Sequence, residues 1–136
     1  LRGPGRGITS AMRPLTPYQE KPKARGPRLE PLAELKRWLE AQPGVLRVPL
    51  TLERGAPRGW TRAWLGPLEV KVSDSALGVS LADRLQVACP GEGECRVWVE
   101  GRWRDGKFHV LHFSRAIRPG EDADFVEYEV EAPTQR

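Results

Sequence analysis

From Val45 onward the apolar residues of this chain recur at every second position, and that period dictates a β fold. Leu46, Val48, Leu50 and Leu52 alternate with Arg47, Pro49, Thr51 and Glu53. A strand of this kind turns one face to a core and the other to solvent. Pro49 has no N–H to give to a ladder, so it predicts an edge position or a bulge. Further strands are predicted at Trp60–Leu65, broken by Gly66-Pro67, and from Leu68 to Val72. The latter is expected to bend at Ser73-Asp74 and resume through Leu77 to Val79. Arg96 to Trp103 and Lys107 to Ile117 read as a hairpin, joined at Asp105-Gly106, the strongest turn signal in the chain. In a last strand Val126, Tyr128 and Val130 alternate with Phe125, Glu127 and Glu129. The acids gathered there, Glu121, Asp122, Asp124, Glu127, Glu129 and Glu131, predict a solvated edge guarded against pairing with other chains.

Two short helices interrupt the pattern. Residues 30–41 start with Pro31, which fits the first helical position because its missing N–H costs nothing there. Leu32, Leu35, Trp38 and Leu39 then fall on one face, and Pro43-Gly44 ends the helix. The second helix starts at Ser80, where Ser-x-x-Asp offers a cap and an acid for the N-terminal dipole. Leu81, Leu85 and Ala88 form its apolar face, and it stops near Cys89-Pro90. With 14 glycines and 13 prolines in 136 residues, long helices have little room.

Setting aside the first helix and the last strand, the order is β-β-β-α-β-β. The run from Val97 to Leu111 alternates through Val97 and Val99 to Gly101, turns at Asp105-Gly106, and returns through Phe108 and Val110. This resembles the fourth and fifth strands of an OB-fold, a small five-stranded Greek-key barrel. The resemblance covers residues 45–117 and rests on pattern alone. It implies a mainly β chain: a small OB-like barrel with an N-terminal amphipathic helix and one short helix between strands three and four.

Residues 1–29 follow another rule. Gly3, Pro4, Gly5, Gly7, Pro14, Pro17, Pro22, Gly26 and Pro27 leave no apolar period. This stretch is expected to be an extended or disordered arm with no core of its own, ahead of a single β-rich domain at 30–136. It is also basic. Within residues 1–28, Arg2, Arg6, Arg13, Lys21, Lys23, Arg25 and Arg28 stand against Glu20, a net +6. Of the chain's 22 basic and 18 acidic residues this leaves 15 against 17, so the remainder carries −2. These seven cations are the candidate partner-binding residues. They suit an acidic protein surface, a nucleic acid or an anionic membrane surface, and equally a solubilising tail.

Cys89 and Cys95 flank Pro90, Gly91, Glu92, Gly93 and Glu94. So short and flexible a loop can close into a disulfide. Buried free thiols are the second reading. Zinc would need further ligands at closer spacing, and a redox pair would be Cys-x-x-Cys. A disulfide implies an oxidising compartment, periplasmic or secreted; free thiols fit the cytoplasm. No signal-peptide pattern occurs, although a start at Leu1 suits a processed or trimmed chain. No apolar run approaches the roughly 18 residues of a membrane span.

Five tryptophans raise the question of a ligand face. Trp60 and Trp64 are four apart in one strand, with Arg62 between them, so all three are expected on one side. With Lys71 they form the candidate ligand face, on the strands that carry ligands in OB-folds. Aromatic rings interleaved with cations stack bases and track phosphates, and Arg58, Arg102 and Arg104 would add charge. Against this, Trp60, Trp98 and Trp103 are equally suited to filling the barrel. His109 and His112, three apart in a strand, are expected on opposite faces and unable to share a metal. No catalytic motif, metal-ligand set or cofactor loop is present. The sequence therefore points to a non-enzymatic binding or accessory protein without cofactor, docking on a larger partner through its arm and barrel. Single-strand nucleic-acid binding is the alternative.

Overall fold

The computed structural model describes residues 21–55, 59–90 and 93–130. Its elements follow in the order β1 (Lys23–Arg28), α1 (Leu32–Glu40), β2 (Leu46–Arg54), β3 (Trp60–Leu65), β4 (Leu68–Ser73), α2 (Leu81–Ala88), β5 (Glu94–Arg104), β6 (Lys107–Ala116) and β7 (Phe125–Glu129). Five strands close on themselves. β2 pairs with β3, β3 with β4, β4 with β6, β6 with β5, and β5 returns to β2. Only β4 and β6 run parallel. The result is a closed, mixed five-stranded barrel compatible with a small OB-like barrel. β7 pairs with β2, and β1 with β7, so the sheet continues past the barrel as a two-stranded flap.

The two-residue period determines what lies inside. Leu46, Val48, Leu50 and Leu52 of β2 face Val97 and Val99 of β5, Ala63 and Leu65 of β3, and Phe108 and Val110 of β6. Each helix adds two leucines, Leu35 and Leu39 from α1, Leu81 and Leu85 from α2. Burying one such side chain is worth about 1.5–3 kcal/mol, so this cluster supplies the main cohesion. Ser80 caps α2 as the sequence predicts, its Oγ accepting from the Asp83 N–H at 3.3 Å. The stripe on α1 is narrower than predicted. Pro31 is the N-cap residue, and Leu32 is 40% exposed. At Gly101 the barrel wall admits no side chain. A Cβ there would lie 2.9 Å from Phe108 Cε2 and well inside contact with the His109 carbonyl oxygen.

Four expectations are corrected. Pro49 lies in neither an edge strand nor a bulge; β2 is the most connected strand. It pairs with β7 at Leu46 and Arg47 and with β3 from Thr51 onward, and Pro49 falls between those two partners. A residue without an N–H is tolerated where β2 changes neighbour. β4 does not resume at Leu77. Asp74 stops it, its carbonyl accepting from the Leu77 N–H at 3.0 Å and its carboxylate from the Leu81 N–H at 2.8 Å. The acidic last strand is no edge, since β7 lies between β1 and β2. Finally, residues 21–29 do contribute to the fold. β1 pairs with β7, Leu29 is only 5% exposed within the core, and its N–H donates to the Asp124 carbonyl at 3.0 Å. The rest of the predicted arm, with Arg2, Arg6 and Arg13, lies outside the described residues.

Candidate functional site

The predicted ligand face does not assemble as expected. β3 carries a bulge: Glu53 pairs with Arg62, but Arg54 pairs with Trp60, leaving Thr61 as the extra residue. A bulge shifts the alternation by one. Trp60 therefore packs against the core cluster, while Trp64 stays on the outer side beside Arg62, whose guanidinium stacks 4.9 Å from its ring. Arg62 is itself engaged. It donates from Nε and Nη2 to Glu69 at 3.0 and 2.9 Å. This bidentate bond lowers the Glu69 pKa and raises that of Arg62. Lys71 is exposed on the neighbouring strand. Arg58, expected to add charge here, lies outside the described residues.

Cys89 and Cys95 sit with their Sγ atoms at bonding distance, 2.02 Å, and their Cα atoms 5.8 Å apart. The loop they close is tied to the end of β2. The Arg54 guanidinium donates to the Cys89 carbonyl, and the Arg54 N–H donates to the Gly93 carbonyl at 3.2 Å.

A second surface carries most of the polar chemistry, and the sequence analysis passed over it. Along β5, Val97 and Val99 point into the barrel while Trp98 and Glu100 point outward, yet both outward residues are only 1% exposed. The flap and β6 cover them. Across five strands the outward positions form one row: His112 on β6, Glu100 on β5, Arg47 on β2, Glu127 on β7 and Arg25 on β1. Acids alternate with basic residues along it, the favourable order for cross-strand neighbours. Arg47 donates to Glu127 at 3.0 Å. Lys23 Nζ lies 3.3 Å from Glu100, with the two side chains 9% and 2% exposed.

Rings are threaded between these charges. Arg47 stacks on Trp98 at 4.3 Å, Trp98 lies against Phe125 at 5.5 Å, and Arg25 caps Phe125 at 3.7 Å. Trp98 therefore is buried outside the barrel interior rather than filling it, while Trp60 and Trp103 pack against the core. The Trp98 Nε1–H donates to Glu121 at 3.0 Å, and Arg115 grips the same carboxylate at 2.8 and 2.6 Å. Those bonds, led by Arg115 and followed by the Arg118 N–H, hold Glu121 well below the usual carboxylate range. Asp122 is lowered too, first by its hydrogen bond from Arg28. Arg25 reaches the same carboxylate at 2.9 Å. Three predicted partner-binding cations, Lys23, Arg25 and Arg28, are thus joined to acids of this chain.

The row includes both bulges of β6. Val99 pairs with Phe113 and Trp98 with Arg115, which leaves Ser114 extra; Gly101 pairs with Val110 and Glu100 with His112, which leaves Leu111 extra. This overturns the expectation that His109 and His112 face opposite ways. They pair with Arg102 and Glu100, two apart on β5 and so on one side. Among the described residues no group of three or more His, Cys, Asp or Glu could hold a metal. Over the row lies an open groove of about 330 Å³, lined by Lys21, Lys23, Arg47, Glu100, His112, Ser114, Arg115 and Glu127.

Comparison with known proteins finds no matching family model, curated protein or solved structure. The groove and its charges therefore carry the functional reading. One signal in the sequence pointed to it. Lys23 and Arg25 alternate with Ala24 and Gly26, a period of two within a stretch read as patternless. Among the described residues no helix is long and apolar enough to cross a membrane.

Proposed function

We propose that the protein is a non-catalytic docking module, an OB-type barrel that binds an acidic segment of a larger protein partner. One observation carries the reading. The groove on the outer face is lined by Lys21, Lys23, Arg47 and Arg115, and it lies where the basic residues 1–20 join the fold. The sequence ahead of Lys21 adds Arg2, Arg6 and Arg13, so the stretch leading into the groove brings further positive charge for an incoming acidic chain. The barrel supplies rigidity, and the Cys89–Cys95 link limits movement at one end of β2. Chemical cross-linking of the full chain in its native source, followed by identification of cross-linked peptides, tests this. Acidic partner peptides attached through the exposed Lys21, and lost at high salt, are the expected product. Cross-links confined to lysines outside the groove lining, such as Lys71, would refute it.

Single-strand nucleic-acid binding keeps one supporting observation, the stack of the exposed Arg62 on the half-buried Trp64. Base stacking is worth about 1–3 kcal/mol per base, so Trp64→Ala would weaken such binding at least several-fold. Equal oligonucleotide affinity for both chains would remove this reading.

A further inference from the structure

We infer that the groove takes the acidic segment of the partner as an added β-strand, held by the open backbone edge of β1 and by Ser114 of β6. This rests on the docking reading and names how the segment is bound. One run of neighbouring strands is β1-β7-β2-β5-β6. Both ends of that run line the groove: Lys21 and Lys23 at the start of β1, and His112, Ser114 and Arg115 on β6. The sheet is therefore curled, and Lys23 reaches past β7 and β2 to Glu100 at 3.3 Å. A strand laid in the groove continues the sheet from its β1 end and meets the β6 end across the gap.

Among the described residues β1 pairs with β7 alone. The Val130 N–H donates to the Pro22 carbonyl at 3.0 Å. Antiparallel pairing alternates, so Ala24 also turns its backbone groups to β7, while Lys23 and Arg25 turn theirs to the open side. Pro27, without an N–H, offers no donor further along. At the other end, β4 accompanies β6 only as far as His109. The Ser114 hydroxyl lines the groove, is shielded from water and has no hydrogen-bond partner. Such a group calls for a physical reason, and an incoming strand supplies one. β7 shows what a neighbour of β1 carries. Glu129 stands opposite Lys23 and Glu127 opposite Arg25, the favourable cross-strand arrangement. A segment on the open side with acids at every second residue meets the same row, which the exposed Lys21 extends. Residues 1–20 carry Arg2, Arg6 and Arg13 against Glu20, the wrong sign for this place, so the occupant comes from another protein.

The test uses the full chain, isotope-labelled, with the peptide Glu-Val-Glu-Val-Glu at low salt. Three relatives serve as comparisons: one with Gln for Glu, one N-methylated at the valines and one N-methylated at the glutamates. The two methylated forms keep every charge and each remove the donors of one strand edge. The unmodified peptide is expected to bind and to slow hydrogen exchange at the Lys23 and Arg25 amides. One methylated form should bind roughly tenfold more weakly, for the backbone hydrogen bonds it cannot make. Ser114→Ala removes only an unpartnered hydroxyl and should weaken binding about fivefold, the size of one hydrogen bond. Binding that leaves both exchange rates unchanged and tolerates both methylations would overturn strand addition while leaving the docking reading in place. An affinity unchanged by Ser114→Ala would overturn the contact with β6. A Gln peptide bound as tightly as the Glu peptide, or no binding of any of them, would overturn both readings.

Discussion

The two faces of β5 are both buried, and they are buried by different physics. Inward, Val97 and Val99 meet an apolar barrel. Outward, Trp98 and Glu100 are covered by Arg47, Lys23, Phe125 and the Arg115–Glu121 pair. The inner face coheres through area removed from water, which is indifferent to pH and nearly so to salt. The outer face coheres through ion pairs, cation–π contacts and hydrogen bonds, each of which needs its partner in place. A strand can thus lie between two cores, one tolerant in detail and the other exacting. The groove proposed for docking lies over the exacting one.

The sharpest break in this contrast is expected at Gly101. Gly101→Val drives a side chain into the His109 carbonyl and the Phe108 ring. Overpacking on this scale costs about 3 kcal/mol or more, and a thermal melt should show the cooperative transition lost or sharply lowered. Next in size is Lys23→Met. It removes the ammonium beside a buried carboxylate and should cost about 3 kcal/mol by denaturant unfolding. Lys23→Met/Glu100→Met should recover most of that loss, since an apolar pair needs no desolvation. No such rescue would show that the outer face depends on packing alone.

Most of the inner face was legible in the sequence, and most of the outer face was not. The alternation in β2 and β5, the Ser80 cap and the hairpin turn are local signals, and each is where its residues predict. The misplaced side chains of β3 and β6 share one cause. Bulges at Thr61, Leu111 and Ser114 shift side chains by one position, and a period count carries no sign of a bulge. β1 was hidden because Gly26 and Pro27 read as breakers. Here Gly26 lets α1 approach closely, since a Cβ would meet Trp38 Cζ2 at 3.2 Å. The basic stretch and the acidic strand were both noticed, but their pairing joins residues about a hundred positions apart.

Smaller effects sharpen the comparison further. Cys89→Ala/Cys95→Ala opens a loop with sequence separation of 6. Chain entropy puts the cost at about 2 kcal/mol, measurable as a shift in denaturant midpoint, with the outer-face ion pairs unchanged. Acid should act chiefly on the outer face. Glu121 and Asp122 have lowered pKa values, so in the unfolded chain they take up protons at higher pH than in the fold. Their contribution is complete above the unfolded values and is lost as pH falls through the folded ones. Stability should therefore decline below about pH 5, and Arg115→Gln should flatten that decline in a series of melts. Smallest of all, Arg62→Gln removes the exposed pair with Glu69 and should leave the melting temperature unchanged.

Hydrogen exchange at residues 22–29, followed amide by amide, is the most direct check that the basic stretch is built into the sheet against β7. Slow exchange of the Leu29 amide, matching the amides of β7, is the expected result. Exchange of Leu29 at the rate of a free peptide, with the barrel amides still protected, would contradict it.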